Sequence, residues 1–307
     1  MKVLITGGAG FIGSHLVELL LAAGNPVRIL DNLSTGKKEN LPSAGTIEFI
    51  EGDIRDAAVV ESSVRGMDAI VHLAAVASVQ ASIDDPITTH QCNLDGTLHL
   101  LESARRHGIK RFLYASSAAV YGDTDHVPVA ESHPIDPLSP YAADKLAGEH
   151  YLMFYFRKYG LDATAFRFFN IYGPRQDPSS PYSGVISIFT DRLMQGQPVT
   201  LFGDGRQTRD FVYVGDLVKL LVQTLSCAGT AGQVINVGRG KQSSLLDLIE
   251  ALERLSGKAL ARVHAPPRIG DIRHSCADTT RLRTLLGSVP QTDLDSGLAA
   301  LLHSRKS

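Results

Sequence analysis

The segment YAADK places Tyr141 and Lys145 four positions apart. Apolar residues recur at helical spacing in the stretch that follows, so we expect both side chains on one face of a helix, with Cβ atoms about 6 Å apart. Their ordinary pKa values of roughly 10 and 10.4 suit neither to proton exchange at neutral pH. A nearby cation favours a phenolate, which makes the pair a candidate acceptor for a hydroxyl proton. The competing interpretation is a surface helix, because YxxxK is short and common.

A glycine-rich turn, TGGAGFIG, lies between the first predicted strand and the first predicted helix. Gly7, Gly10 and Gly13 have the spacing G-x-x-G-x-x-G. Glycines in this context permit a tight turn, let backbone N–H groups approach a pyrophosphate and let the helix pack closely on the strand. Asp31 ends the second predicted strand 18 residues after Gly13, near the roughly 20 expected for an acid that binds the ribose. The pattern predicts a dinucleotide site rather than a plain surface turn.

The acidic residues at strand ends bear on which dinucleotide binds. Asp31 favours NAD over NADP, because a carboxylate accepts hydrogen bonds from a 2′-hydroxyl and repels a 2′-phosphate. NADP remains the alternative if Lys37 and Lys38 fold over the ribose, although such lysines are more often solvated loop charges. Asp53, at the end of the third predicted strand, is placed either to meet the adenine or to cap the following helix.

The elements that must position these residues alternate along the first half of the chain. Apolar, β-branched runs separated by helical patterns predict a parallel sheet with helices on both faces. The predicted strands are 2–6, 27–31, 47–53, 69–74, 111–117 and 163–169. The pattern loosens after about residue 170, and the Pro-, Gly- and Ser-rich stretch NIYGPRQDPSSPYSG (170–184) is interpreted as a loop. We therefore predict a dinucleotide domain of 1–169 plus about 211–238, and a smaller α/β lobe of about 170–210 plus 239–307.

Composition excludes several classes of function. The chain has 307 residues and a net charge of −2, with no basic run that indicates nucleic acid or a membrane surface. No signal peptide and no stretch of 18 apolar residues is found. The three cysteines, Cys92, Cys227 and Cys276, are far apart and predict neither a disulfide framework nor a metal site. We expect a soluble, cytoplasmic protein of a reducing compartment.

Together the motifs closely resemble those of the extended short-chain dehydrogenase/reductase family, and within it the UDP-hexose 4-epimerases. The resemblance runs from TGGAGFIG through DNLSTG, GDI, HLAA, SSAAVYG, YAADK and RFFNIYGPR to FGDGRQTRDFVYVGD, nearly the whole chain. It implies a Rossmann-type doubly wound sheet, an NAD cofactor and a UDP-sugar substrate. It also implies that Tyr141 accepts the sugar's proton, that Lys145 and the positive nicotinamide lower the Tyr141 pKa, and that Ser117 holds the hydroxyl.

The same resemblance assigns further residues to the ligands. Expected contacts to the cofactor come from Gly7, Gly10, Phe11, Ile12, Gly13, Asp31, Asn32, Ser34, Gly36, Asp53, Ile54, Leu73, Ala74, Ala75, Asn93, Tyr141, Lys145 and Phe169. Expected contacts to the substrate come from Ser78, Ser117, Tyr141, Asn170, Val185, Thr200, Phe202, Arg209, Arg268, Asp271 and Ser275. Arg209 and Arg268 would neutralise the diphosphate, since guanidinium groups suit phosphate oxygens, although either arginine alone is equally consistent with a surface position.

Three positions bear on which reaction is expected. The related nucleotide-sugar 4,6-dehydratases carry an Asp-Glu pair after the hydroxyl residue, where this chain has Ala118 and Ala119, which argues against dehydration. The family position of Ser275 borders the C2 substituent of the sugar, and serine leaves room for an N-acetyl group. Ala77 departs from the glucose-type epimerases, which often have a lysine there, and Ser78 is expected to contact the sugar instead.

The resemblance also implies a homodimer, formed through a four-helix bundle of 97–108 and 141–160. The alternative is a monomer, in which these helices merely carry apolar residues on several faces. Rival functions are a UDP-uronic acid 4-epimerase, an NADPH-dependent reductase on the same scaffold, and a non-catalytic NAD-sensing regulator. The last is disfavoured because Tyr141 and Lys145 are both present.

Overall fold

The computed structural model describes residues 1–43, 45–178, 184–266 and 272–305. Its strands are β1 (Val3–Thr6), β2 (Val27–Asp31), β3 (Ile47–Glu51), β4 (Ala69–His72), β5 (Arg111–Ser117), β6 (Asp162–Phe168), β7 (Asn170–Tyr172), β8 (Val199–Phe202), β9 (Thr208–Arg209), β10 (Phe211–Tyr213), β11 (Gln233–Val237), β12 (Ser243–Ser244) and β13 (Arg262–Ala265). Its α-helices are α1 (Phe11–Ala22), α2 (Ala57–Val64), α3 (Val79–Asp84), α4 (Pro86–His90), α5 (Gly96–His107), α6 (Pro140–Tyr159), α7 (Val185–Gln195), α8 (Val214–Leu225), α9 (Leu245–Ser256), α10 (Thr280–Leu286) and α11 (Leu294–Ser304).

A seven-stranded sheet forms the largest layer, with strand order β11-β6-β5-β4-β1-β2-β3. The pairings that join β3, β2, β1, β4 and β5 are parallel, with β1 in register between β2 and β4. The order reverses at β1, as in doubly wound dinucleotide-binding folds, where ligands bind outside the carboxyl ends of the strands. The predicted fold class is therefore confirmed.

Complete burial explains why the central strands are so apolar. All four residues of β1 and of β4 are buried, and β5 is buried through its first four residues. Leu4, Ile70 and Phe112, one from each of these strands, belong to one core cluster. Because both faces of such strands are covered by helices, their sequences show continuous apolar runs rather than alternation.

The predicted strands extended beyond the observed carboxyl ends of β3 and β4, and several strands were not predicted, among them β7 and β11. β3 ends at Glu51 and β4 at His72, because the next residues leave the sheet as the loops that carry GDI and LAA. Asn170–Tyr172, predicted as loop, forms β7 and pairs in parallel with β10. Gln233–Val237 adds β11 at the edge of the large sheet.

The described chain divides into two compact units. The first comprises Met1–Val120, Ser139–Arg167 and Val218–Ile235, and the second Tyr121–Leu138, Phe168–Leu217 and Asn236–Ser307. The second unit has its own core, in which residues of α7, α9 and α11 pack together, and small two-stranded sheets β10-β7, β12-β9 and β13-β8.

Two kinds of feature are absent from the described ranges. None of the helices there is long and apolar enough to cross a lipid bilayer. Nor do those ranges contain a group of three or more His, Cys, Asp or Glu side chains placed to hold a metal ion.

Candidate active site

Tyr141 and Lys145 lie on the first turns of α6, which begins in a well-defined way. Ser139 is the N-cap, and its hydroxyl accepts from the backbone N–H of Ala142 at 3.2 Å, while Pro140 occupies the first helical position. Both functional side chains are buried, with 9% of Tyr141 and 3% of Lys145 exposed. The Lys145 Nζ lies 5.9 Å from the centre of the Tyr141 ring and 5.0 Å from that of Tyr114.

The carboxyl end of β5 meets this face of α6. The Lys145 ammonium donates to the backbone oxygen of Ala115 at 2.8 Å. Ser117 lies close enough to Tyr141 that its side chain lowers the pKa of the phenol, and the Ser117 Oγ accepts from the backbone N–H of Ala119 at 3.2 Å. The structure thus brings together the three residues that the sequence singled out for catalysis.

The expected lowering of the Tyr141 pKa is not a property of the chain by itself. Burial raises the pKa of this phenol above its ordinary value, and the neighbouring Ser117 side chain offsets only part of that effect. The expectation that Lys145 and the nicotinamide together lower this pKa stays a prediction, because in the chain by itself desolvation penalises the phenolate and the ammonium donates to Ala115. The buried phenol is a proton donor until a further positive charge favours its ionised form.

Burial also changes the acidity of Lys145. It lowers the pKa of this ammonium from 10.5 to about 8, although Cys92 and Asp144 act in the opposite direction. One of the three N–H groups of the ammonium donates to the Ala115 backbone oxygen. A buried, hydrogen-bonded cation with a pKa near the working range is typical of catalytic sites.

The glycine-rich turn has the geometry of a phosphate cradle. Gly7 has a φ of +71°, and a Cβ on Gly13 would lie 2.1 Å from the Gly7 backbone oxygen. A Cβ on Gly7 would lie 2.9 Å from the Ala74 nitrogen, so this turn packs directly on the loop after β4. α1 begins after Gly10 with no side-chain cap, which leaves the N-terminal N–H groups of the helix suited to a pyrophosphate.

Asp31 is held beside that turn. Its carboxylate accepts from the backbone N–H groups of Ala9 at 2.9 Å and Leu33 at 2.8 Å. Gly36 lies so close that a Cβ there would be 2.9 Å from an Asp31 oxygen. Lys38, one of the two lysines considered above for NADP, forms an ion pair with Glu51 at 2.8 Å. A fixed carboxylate with this lysine directed elsewhere fits a ribose 2′-hydroxyl better than a 2′-phosphate.

Asp53 is more fully engaged than the sequence suggested. It accepts three hydrogen bonds from Arg55, including the guanidinium Nη2 at 2.8 Å, and one from Asn32 at 2.9 Å. These contacts hold its pKa well below the usual range. The alternative role as a helix cap is wrong, because Asp56 caps α2. Asp53 and Asn32 therefore form one polar edge at the ends of β2 and β3, and the backbone N–H of Ser34 donates to the Asn32 side chain at 3.1 Å.

The loop after β4 is tied to its neighbours by side chains. The Leu73 N–H donates to the Thr6 backbone oxygen and the Ala74 N–H to the Thr6 hydroxyl. The buried Asn93 amide bonds both backbone groups of Val76, at 2.8 and 3.1 Å. Ser78 caps α3 through the N–H of Ala81 at 3.0 Å. Among the other predicted cofactor residues, Phe11 and Ile12 open α1, Ile54 is buried in the core and Ala75 lies in this same loop.

Three predicted substrate residues gather in the second unit around Thr208–Asp210. The Asn170 N–H donates to the Asp210 backbone oxygen at 3.1 Å, and the Ser275 N–H donates to the Thr208 backbone oxygen at 3.1 Å. Arg209 lies between these two positions and donates to the Thr208 oxygen at 2.9 Å. Phe169, adjacent to Asn170, is buried.

The remaining substrate residues are spread more widely. Thr200 and Phe202 lie on β8, where Thr200 is exposed and Phe202 is half-buried, and the Phe202 oxygen accepts from the Gln207 side chain at 2.9 Å. Val185 opens α7. Arg268 and Asp271 lie outside the described residues.

Asp210 organises this second cluster, and the sequence analysis missed it. Its side chain is fully buried and accepts from the N–H groups of Arg239, Gly240 and Ala277 at 2.8 to 3.0 Å. Burial raises the pKa of this carboxyl, and the backbone N–H groups counteract that effect. The only signal for Asp210 in the sequence was an acidic residue between Arg209 and the apolar β10, because the residues that its side chain contacts lie 29 or more positions away along the chain.

A sequence profile of the NAD dependent epimerase/dehydratase family matches residues 3–238. The UDP-glucose 4-epimerase of Mycolicibacterium smegmatis is 43% identical over 304 residues, spanning 97% of this chain and 96% of the relative. The crystal structure of UDP-glucose 4-epimerase from Thermotoga maritima with UDP-glucose has a TM-score of 0.95 at 39% identity, covering 100% of this chain and 99% of that one. UDP-N-acetylglucosamine 4-epimerase from Methanobrevibacter ruminantium, in complex with UDP-N-acetylmuramic acid, has a TM-score of 0.95 at 38% identity, covering 99% and 98%.

Proposed function

Because the chain belongs to the NAD dependent epimerase/dehydratase family, we propose that it inverts C4 of UDP-hexoses through a transient 4-keto sugar. The predictions of family, enzyme class and NAD cofactor are confirmed by the family match and the similar structures. The observation that carries the proposal is the Ser117, Tyr141 and Lys145 arrangement at the carboxyl end of β5.

Each of these side chains has a task in the proposed reaction. Tyr141 takes the proton of the C4 hydroxyl and later returns one to the C4 oxygen, and Ser117, which lies beside it, orients that transfer. Lys145 contributes the nearby positive charge and donors for the cofactor's ribose. When bound, NAD supplies the hydride acceptor and donor, and its positive nicotinamide favours the phenolate. Gly7, Gly10 and the N-terminus of α1 would hold its pyrophosphate, and Asp31 its adenosine ribose.

The residues after Ser117 favour epimerisation over dehydration within this family. Elimination of water across C5 and C6 needs an acid and a base beside the 4-keto sugar. Ala118 and Ala119 occupy that segment as half-buried positions and carry no ionisable group. The chemistry that the site retains is oxidation at C4 and reduction from the opposite face.

We assign the two ligands to the two units. The first unit contains the glycine-rich turn, Asp31 and the catalytic residues, and we propose that it binds NAD. The second contains the cluster of Asn170, Arg209 and Ser275, and we propose that it binds the UDP moiety, with Arg209 facing the diphosphate. The proposal places the uracil near Thr200 and Phe202.

We further propose that N-acetylated UDP-sugars are accepted alongside UDP-glucose and UDP-galactose. Ser275, small and half-buried, borders the C2 substituent in this proposal. Wild type and Ser275→Tyr are compared on UDP-N-acetylglucosamine and UDP-galactose. Selective loss of the acetylated sugar is expected in the variant, and equal turnover of both sugars by the variant and wild type would contradict the assignment of Ser275.

A homodimer is proposed on the exposed apolar side chains of the first unit. Tyr151 and Phe154 on α6 are 42% and 50% exposed, and Ile83 and Ile87 on α3 and α4 are 52% and 70% exposed. The whole of α5 is described, and it carries no exposed large apolar residue, so α3 and α4 contribute more of this surface than the sequence suggested. Light scattering of Phe154→Glu against wild type tests the proposal, since a change from dimer to monomer is expected.

The decisive test of the reaction is incubation without added cofactor. UDP-glucose, UDP-galactose, UDP-N-acetylglucosamine and UDP-N-acetylgalactosamine are each supplied separately and followed by NMR at C4. Inversion at C4 without net oxidation is expected, because NAD is regenerated in every cycle. A product that requires added NADPH, or one that has lost water, would assign the chain to another reaction of the family.

A further inference from the structure

Three successive residues of β5 each lie against a residue of α6, and the α6 partners are spaced one turn apart. Ser117 lies close enough to Tyr141 that its side chain lowers the pKa of the phenol. The Ala115 backbone oxygen accepts from Lys145 at 2.8 Å. The Ser116 hydroxyl donates to Glu149 at 2.5 Å. Because positions 141, 145 and 149 lie on one face of a helix, these contacts align α6 against the end of β5.

Glu149 is also joined to a third element. Its carboxylate accepts from Arg167 of β6 through Nε at 2.9 Å and Nη2 at 2.7 Å. Both side chains are almost completely buried, at 3% and 4% exposure. Such a bidentate ion pair restricts the carboxylate in both distance and orientation. Glu149 therefore connects β5, β6 and α6 at one buried point.

Stability does not explain this ion pair. The desolvation of two buried charges commonly cancels their attraction, and apolar side chains of similar size often serve a fold as well or better. A buried pair that is directional and fully hydrogen-bonded instead specifies one relative placement of the elements that carry it. Here those elements carry Ser117, Tyr141 and Lys145.

We propose that Glu149, held by Arg167, is a positioning residue that sets the distance of Tyr141 and Lys145 from Ser117. The proposal rests on the proposed function where it concerns turnover. Glu149 lies one turn beyond Lys145 and two beyond Tyr141 on the same face, so a change in its bond to Ser116 shifts or rotates the whole catalytic face of α6. Displacements of about 1 Å in a catalytic group can lower turnover about 100-fold.

The test replaces the pair by apolar residues of similar volume, Glu149→Leu with Arg167→Met, which leaves no unpaired charge. We expect a melting temperature within about 4 °C of wild type. We expect kcat to fall at least about tenfold, with KM for the UDP-sugar within about twofold, because the lost contacts order catalytic groups rather than bind substrate.

The chain offers a matched control at the opposite ends of the same strands. Arg111 begins β5 and Asp162 begins β6, and the two form an ion pair, with Arg111 buried. Arg111→Met with Asp162→Leu therefore removes an ion pair between β5 and β6 far along the strands from Ser117. Its kcat is expected to stay near that of wild type, whatever the change in melting temperature.

A second readout does not depend on turnover. The Tyr141 Cζ resonance, recorded with carbon-13-labelled tyrosine and assigned by its absence in Tyr141→Phe, reports the hydrogen bonding of the phenol. It should move in the Glu149/Arg167 variant and stay in place in the Arg111/Asp162 variant. If wild type epimerises none of the four UDP-sugars, the proposed function fails, and this resonance still decides the positioning role.

Glu149→Asp covers the case in which the double variant does not fold. It keeps the charge opposite Arg167 and shortens the side chain by one methylene, so the same fall in kcat and the same movement of the resonance are expected. An unchanged kcat and an unmoved resonance in the folded variants would overturn the proposal. So would an equal loss of kcat in the Arg111/Asp162 control.

Discussion

Replacing Lys145 by methionine is expected to stabilise the protein at neutral pH while abolishing its activity. Burial lowers the pKa of this ammonium from 10.5 to about 8. At about 1.4 kcal/mol per pKa unit, the burial of the charge costs about 3 kcal/mol at pH 7. Methionine removes that cost, but it also removes the hydrogen bond to Ala115 and the contact with the Tyr114 ring, together about 1–2 kcal/mol. The net gain expected for Lys145→Met is about 1–2 kcal/mol.

The stability difference between Lys145→Met and wild type should depend on pH in one direction only. Between pH 8 and 10.5 the unfolded wild type binds more protons than the folded one, because the folded pKa of Lys145 is the lower. The stability contributed by this group therefore rises with pH across that window. At pH 7 both states carry the charge, and wild type bears the full cost. Near pH 10.5 the cost has gone, so the advantage of Lys145→Met should vanish or reverse.

The measurement is urea unfolding of NAD-free protein at several pH values from 7 to 10.5. The chain has no tryptophan, so far-UV circular dichroism is the suitable signal. Lys110→Met, at an exposed lysine, is the matched control and should show little pH-dependent difference from wild type. A Lys145→Met protein less stable than wild type at pH 7, or a stability difference that stays constant up to pH 10.5, would refute the burial argument.

Three further outcomes are expected. Tyr141→Phe should retain its fold and melting temperature, but its kcat should fall about 100- to 10,000-fold because proton transfer is removed. If the variant kept most of the wild-type rate in the NMR assay, the assignment of Tyr141 would be wrong. Gly13→Ala should weaken NAD binding at least about tenfold in calorimetry, because its Cβ would lie 2.1 Å from the Gly7 oxygen. Gly229→Ala is the control: a Cβ has room there, so this variant should bind NAD with wild-type affinity. Asp210→Asn should lower the free energy of unfolding by about 2–4 kcal/mol, because an amide cannot accept from all three backbone N–H groups that Asp210 now satisfies. A urea unfolding midpoint of the variant equal to that of wild type would contradict this prediction.

Much of the first unit could be predicted because its signals are local. Continuous apolar runs indicated six strands of the large sheet, since strands covered on both faces cannot alternate. The glycine spacing and Asp31 indicated the dinucleotide site, because a turn that must approach phosphate requires glycine within a few residues of the strand end. The last strand, Gln233–Val237, was not named, because it is separated from the others by the whole of the loosely patterned segment.

The sequence by itself thus determined the fold class, the family and the identity of the chemical groups, all of which depend on residue type and on neighbours close along the chain. Only the tertiary structure decided how those groups behave. It showed that burial raises the Tyr141 pKa, that Arg55 rather than a helix terminus engages Asp53, and that Glu149 joins three elements. Desolvation and ion pairing depend on which distant residues surround a side chain, and that information exists only once the chain has folded.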